Sequence, residues 1–242
     1  MNMRKPLVWV LGLLVVAGCQ SPDKNVYLPK TRHHDAFTKK ITKVVGYQYV
    51  VCFPEGYGTT EKSWPMILFL HGAGQRGNDL KKVKCGGLLA GSKDFPFVIV
   101  APQCPEDQWW DVDTLNALLD EVLAKYTIDP DRVYLTGLSM GGYATWDLAI
   151  AHPERFAAIA PLCGSGFVTL VKHVKDLPVW VFHGAKDEVV RIERTQRMVE
   201  RLRQCGGNVK FTVYPEAGHN CWTPTYRNPE LYQWFLQHRR QR

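Results

Sequence analysis

The chain has 242 residues, a formal net charge of +7, 45% hydrophobic and 22% charged residues, which suits one domain with a substantial core and leaves too little length for two comfortable ones. Basic residues are dispersed among acids, and the only dense basic run is the terminal His238-Arg239-Arg240-Gln241-Arg242. Such an end reads as a solvated terminus rather than a nucleic-acid surface, so no nucleic-acid partner is expected.

At the N-terminus, Arg4 and Lys5 precede an apolar run, 7–16, too short to span a membrane. Residues 1–18 therefore read as an export signal. The run ends in Val16-Ala17-Gly18-Cys19, which resembles the lipobox of bacterial lipoproteins. That resemblance implies cleavage before Cys19, lipidation of Cys19, and an exported protein whose partner is the membrane of the bacterial cell envelope, at the outer membrane or in the periplasm. Removing 1–18 takes away Arg4 and Lys5 and no acid, leaving +5. Residues 19–38 are polar, with Pro22, Pro29 and the pair His33-His34, and read as a tether. No Cys or carboxylate cluster lies near those histidines, so no metal site is expected there. The domain proper is expected over 39–242.

From residue 41 onward apolar runs and helical patterns alternate. Strands are predicted over 41–45, 47–53, 66–70, 97–101, 132–136, 157–162, 179–183 and 210–214, and helices over 80–90, 112–126, 139–151, 192–204 and 229–238. Met66-Ile67-Leu68-Phe69-Leu70 and Val98-Ile99-Val100 are apolar throughout rather than alternating, as in strands buried on both faces. The expected fold class is α/β, a mostly parallel eight-stranded sheet flanked by helices. Only residues 164–178 separate the sixth and seventh predicted strands, room for one short helix and no sizeable lid.

Ligands of such sheets bind beyond the carboxyl ends of the strands, so chemistry is sought just after each one. After 66–70 comes His71-Gly72-Ala73-Gly74-Gln75-Arg76-Gly77, a loop whose backbone amides are free to face an anion. The Gly-x-x-x-x-Gly-Lys-Ser/Thr pattern of a phosphate loop is missing. Ala73 is the candidate donor, with Gly74 the alternative. Trp109 and Trp110 follow the fourth strand and Trp222 follows the last; on loops at one rim, they are candidates for an aromatic platform under a sugar or phenolic ring. Trp146, further along the chain, is expected in the core.

A β-branched and aromatic run reaches Thr136, then Gly137-Leu138-Ser139-Met140-Gly141-Gly142 opens a helical pattern. That is the strand, sharp turn and helix of a nucleophile elbow, with glycines two residues either side of the serine where a Cβ would block close approach. Ser139 Oγ is then exposed at a helix N-terminus, and the amide of Met140 is the second candidate oxyanion donor. Asp187 stands beyond the next-to-last strand and His219 beyond the last. The order Ser139, Asp187, His219 is the α/β-hydrolase order. In that arrangement His219 takes the serine proton while Asp187 fixes its tautomer; Glu188 is expected to face solvent.

Six cysteines follow Cys19: Cys52, Cys85, Cys104, Cys163, Cys205 and Cys221. No Cys-x-x-Cys occurs, which argues against zinc, and the sequence does not choose a disulfide pairing, although Cys163 and Cys221 are expected near one another.

The runs Ala101-Pro102-Gln103-Cys104-Pro105, Trp109-Trp110, Asp129-Pro130-Asp131-Arg132-Val133-Tyr134, Gly137-Leu138-Ser139-Met140-Gly141-Gly142 and His152-Pro153-Glu154-Arg155-Phe156-Ala157-Ala158 resemble the phospholipase/carboxylesterase and "predicted peptidase" branch of the α/β-hydrolase superfamily, with feruloyl-esterase-like and polyhydroxybutyrate-depolymerase-like relatives. The resemblance runs from about Tyr47 to the end. It implies a serine carboxylic-ester hydrolase acting through an acyl-enzyme, and no metal or cofactor is expected. The envelope anchor, the open site and the rim tryptophans suit small-molecule or polysaccharide-linked esters, acyl or feruloyl. Ser139 in place of Cys argues against a nucleophile of the dienelactone-hydrolase type. Two other readings remain open at this point: a serine peptidase of the same fold, and a catalytically idle binding lipoprotein.

Overall fold

A computed structural model describes residues 38–59, 61–83, 88 and 96–240. The export signal, Cys19, the tether to residue 37, Cys85 and most of the expected helix over 80–90 lie outside the described residues. Residues Lys43–Arg242 form one compact unit.

Seven strands make one sheet: β1 (Gln48–Cys52), β2 (Trp64–Leu70), β3 (Val98–Gln103), β4 (Ile128–Leu138), β5 (Ala158–Leu162), β6 (Val179–Gly184) and β7 (Val209–Tyr214), in the order β1-β3-β2-β4-β5-β6-β7. Only β1 is antiparallel to its neighbour; the rest run parallel. The expected eighth strand over 41–45 does not form. Ile41 and Val44 are 83% and 97% exposed, so no face buries their side chains and no strand pairs with them. β-Branched residues such as Ile41, Thr42, Val44 and Val45 set local preference, and pairing needs a partner edge.

The five helices are α1 (Val112–Lys125), α2 (Met140–Ala151), α3 (Ile192–Gln204), α4 (Trp222–Arg227) and α5 (Pro229–Leu236) among the described residues. Strand side chains alternate between faces. Met66, Leu68 and Leu70 pack with residues of α1, α2 and α3, while Ile67 and Phe69 pack with Tyr226, Leu231 and Phe235 of α4 and α5. This is why the β2 run is apolar throughout: both faces are covered. Trp146 is fully buried on α2, as expected. Between β5 and β6 the chain makes a single short 3₁₀ turn, Val171–Val174, so the carboxyl edge carries no lid from this connection.

Candidate active site

β4 ends at Leu138 and α2 begins at Met140, so Ser139 alone makes the turn, with φ 53° and ψ −117°. That is a sparsely populated conformation for a residue with a Cβ, and it persists only where the surroundings over-determine it. They do so here. A Cβ at Gly141 would lie 2.0 Å from the Leu70 carbonyl oxygen, and one at Gly137 2.4 Å from the Gly141 carbonyl oxygen. Glycine at both positions lets helix and strand close onto the neighbouring strand. The Ser139 amide donates to Leu162 O at 3.0 Å, and its carbonyl accepts from the Tyr143 amide at 3.0 Å.

The acid and the imidazole arrive from the two strands on the far side of β5. Asp187 is buried beyond β6; its Oδ1 accepts from the Val189 and Val190 amides, both at 2.9 Å. Its Oδ2 lies 2.8 Å from His219 Nδ1, and His219 Nε2 lies 2.9 Å from Ser139 Oγ. An ionised carboxylate only accepts, so Nδ1 carries the proton and the Nε2 lone pair faces the serine hydroxyl. Backbone bonds lock the two loops together: the Ala185 amide donates to Tyr214 O and the Lys186 amide to Ala217 O, both at 2.9 Å. Glu188 is exposed, as expected. The three residues singled out from separate loops thus meet in one hydrogen-bonded line that can draw a proton from Ser139 Oγ.

The loop after β2 lies against this line. A Cβ at Gly72 would stand 3.6 Å from Ser139 Cβ, and Ala73 opens a 3₁₀ turn, Ala73–Gln75. Met140 is the first residue of α2, where amides have no intrahelical partner. Met140 thus directly follows Ser139, and Ala73 follows the glycine that lies against it.

One residue that the sequence reading does not single out fixes that loop. His71 is fully buried; its Nδ1 lies 2.7 Å from Gly72 O and its Nε2 3.1 Å from the Cys104 amide. The carbonyl accepts and the amide donates, which requires a neutral ring protonated at Nδ1. Burial pushes the His71 pKa down, against the Gly72 carbonyl bond that raises it. Arg76 adds a strap, donating from Nε to Ala73 O and from Nη1 to Gln108 O, both at 3.2 Å.

Of the three rim tryptophans, the structure places two at the surface. Trp109 is 54% exposed, with its ring edge-on to Tyr143 at 6.0 Å. Trp222 is half-buried, edge-on to His219 at 5.4 Å. Trp110 is not part of a platform. It is buried, its indole N–H donates to His71 O at 3.2 Å, and its ring packs on His71 and Tyr47. Satisfying a buried indole N–H fixes it in the loop base.

Cys163 and Cys221 meet as fully buried free thiols, the Cys163 thiol hydrogen-bonded to that of Cys221. Among the described residues, one cluster of metal-ligating side chains stands out: Cys163, Asp187 and His219, with ligand atoms within 4.8 Å of one another. Asp187 and His219 are already bonded to each other there, so the cluster is the floor of the serine site.

The profile of the dienelactone hydrolase family matches residues 106–230. The bifunctional acetylxylan esterase/xylanase XynS20E of Neocallimastix patriciarum is 29% identical over 179 residues, 70% of this chain and 26% of that protein. A protein of Aspergillus terreus named "Probable feruloyl esterase C" is 26% identical over 179 residues, 70% of this chain and 66% of its own length. The crystal structure of a thermostable esterase superposes with a TM-score of 0.73 at 34% identity, covering 79% of this chain and 59% of that one. The chain thus spans between 26% and 66% of the length of these relatives.

Proposed function

The chain belongs to the dienelactone hydrolase family, although Ser139 stands where a nucleophile of the dienelactone-hydrolase type would be a cysteine, and from that premise we propose that it is a serine carboxylic-ester hydrolase working through an acyl-enzyme. The observation that carries the reading is the line Asp187–His219–Ser139, with bonds of 2.8 and 2.9 Å ending on a serine at a strained elbow. His219 Nε2 takes the hydroxyl proton as Ser139 Oγ attacks the ester carbonyl. The amides of Ala73 and Met140 receive the oxyanion, and His219 then protonates the departing alcohol. A water deprotonated by His219 releases the acid and restores Ser139. Every step uses side chains and amides of this chain, so neither metal nor cofactor is required.

For the substrate, we favour acyl or feruloyl esters on polysaccharide. The names of the two relatives support it, as do the lack of a lid between β5 and β6 and the exposed ring of Trp109. Export, lipidation of Cys19 and an envelope location complete the proposal; they rest on the sequence of residues 1–19.

The test is kcat/KM of the purified chain beside Ser139→Ala on p-nitrophenyl acetate, methyl ferulate, acetylated xylan and a peptide anilide. Loss of the nucleophile should cut ester turnover by about 10⁶-fold. Turnover that survives Ser139→Ala would refute the nucleophile assignment. Ser139-dependent cleavage of the anilide alone would establish the peptidase instead.

A further inference from the structure

His183 ends the apolar run of β6, is fully buried, and takes no part in the steps above. Its ring is surrounded by fixed partners. Nε2 lies 2.8 Å from Val190 O and 3.1 Å from Asp187 Oδ2. Nδ1 lies 2.9 Å from Thr195 Oγ1, on α3, and that hydroxyl also donates to Gly164 O at 2.7 Å. A carbonyl and a carboxylate only accept, so Nε2 carries a proton shared between Val190 O and Asp187 Oδ2.

Asp187 Oδ2 therefore receives two imidazole N–H groups, from His219 and from His183, while Oδ1 receives two backbone amides. Val190 closes a ring: its amide donates to Asp187 Oδ1 and its carbonyl accepts from His183. We infer that His183 is a positioning residue for the hydrolytic reaction, holding Asp187 Oδ2 against His219 and dispersing part of the carboxylate charge, so that it sets the basicity of His219 without touching substrate. This rests on the serine reading proposed above.

The ionisable groups facing the His183 ring are Asp187 and His219, with the Cys163 thiol beside Asp187. Burial pushes the His183 pKa down, ahead of the Val190 carbonyl that raises it. The ring is thus neutral near neutral pH, with Nδ1 competing with Gly164 O for the single Thr195 hydroxyl proton.

The experiment pairs two polar variants of similar size. In His183→Gln the amide nitrogen reaches the place of Nε2 and keeps a donor toward Asp187; in His183→Asn it reaches the place of Nδ1 and leaves Asp187 with no donor from position 183. His183→Asn should lower kcat/KM for a p-nitrophenyl ester about 10- to 100-fold, through kcat rather than KM, as expected for losing a bond to a buried charge. Its acid limb should move to higher pH, because a carboxylate with one donor fewer holds the His219 imidazolium more tightly. His183→Gln should stay within several-fold of the parent with its limb unmoved. Equal kinetics and equal pH limbs in the two variants would overturn the inference.

Imidazole ¹⁵N spectra of the unmodified protein, which need neither variant to fold, supply a second reading. Protonated Nε2 and unprotonated Nδ1 at His183 near neutral pH are expected, and an unprotonated Nε2 overturns the assignment. An active Ser139→Ala would remove the serine reading itself. Inactive Ser139→Ala with indistinguishable His183 variants would remove only the role of His183.

Discussion

At the nucleophile end of the site, contact distance fixes Ser139: glycines stand at 137 and 141 because added Cβ atoms would meet backbone at 2.4 and 2.0 Å, and the serine holds φ 53° between them. At the acid end close packing joins the two loops, since a Cβ at Gly184 would lie 2.1 Å from Gly218 O, but it does not hold the catalytic side chain itself. Asp187 is fixed by the bonds it accepts, from two amides, His219 and His183. Steric fixing tolerates no added atom and is indifferent to charge. Fixing by hydrogen bonds tolerates isosteric change in shape and fails when one proton is missing or misplaced. The two ends should therefore break in different ways.

The largest effect is expected at the steric end. In Gly141→Ala the new methyl falls 2.0 Å from Leu70 O and 2.8 Å from His71 O, so the main chain of α2 or β2 must move. A cost of about 3 kcal/mol or more is expected, with ester hydrolysis lost alongside it; chemical denaturation and kinetics on one preparation check both. A Gly141→Ala protein with parental stability would mean that the elbow is held otherwise. At the other end, Asp187→Asn keeps the shape and removes the charge that fixes the His219 tautomer. kcat should fall by about 10⁴-fold, while denaturation shows a smaller loss of stability than for Gly141→Ala. If Asp187→Asn proves the less stable of the two, the contrast between the ends fails.

The same contrast explains what the sequence could and could not disclose. Close-packed glycines leave a motif, so Gly137-Leu138-Ser139-Met140-Gly141 is legible as an elbow, and Asp187 and His219 are legible because each follows an apolar run that had to be a strand. Hydrogen-bond cages leave no such trace. His71 and His183 each sit at the end of a buried run, directly before a glycine, and only the fold shows what their ring nitrogens meet. Trp109 and Trp110 are neighbours of identical type, yet one is exposed and the other donates to His71 O; the direction of that loop decides between them. The expected strand over 41–45 failed for the converse reason. Its apolar residues fit a strand, but pairing depends on an edge elsewhere in the chain.

Hydrogen-bonded fixing also predicts a dependence on pH that steric fixing does not. His71 is neutral in the fold, and burial lowers its pKa below the ordinary value of 6.5. Below that value the unfolded chain binds a proton that the folded chain refuses, so the contribution is complete above about pH 6.5 and is lost as pH falls toward the depressed folded value. The melting temperature should therefore drop between about pH 7 and pH 5, and His71→Gln should flatten part of that slope while lowering stability at neutral pH. An equal slope in parent and variant would show that His71 contributes nothing to it.

The smallest effect is expected at Trp109, which neither device holds: its ring is 54% exposed and meets Tyr143 only edge-on at 6.0 Å. Truncation to alanine removes a ring more than half exposed, so the melting temperature should stay within about 2 °C of the parent, since exposed substitutions cost under about 0.5 kcal/mol. What remains to lose is contact with a ligand. A ring stacked on a bound phenolic group is worth about 0.5–1.5 kcal/mol, so KM for methyl ferulate should rise by about 2- to 12-fold with kcat unchanged, while p-nitrophenyl acetate should respond less, its small acyl group leaving the rim empty if the aryl alcohol lies elsewhere. A change on p-nitrophenyl acetate alone would place the aryl alcohol, rather than the acyl group, over Trp109, because methyl ferulate carries its ring on the acyl side. No change on either would return Trp109 to an ordinary exposed side chain and leave the half-buried Trp222, edge-on to His219, as the remaining aromatic contact at the rim.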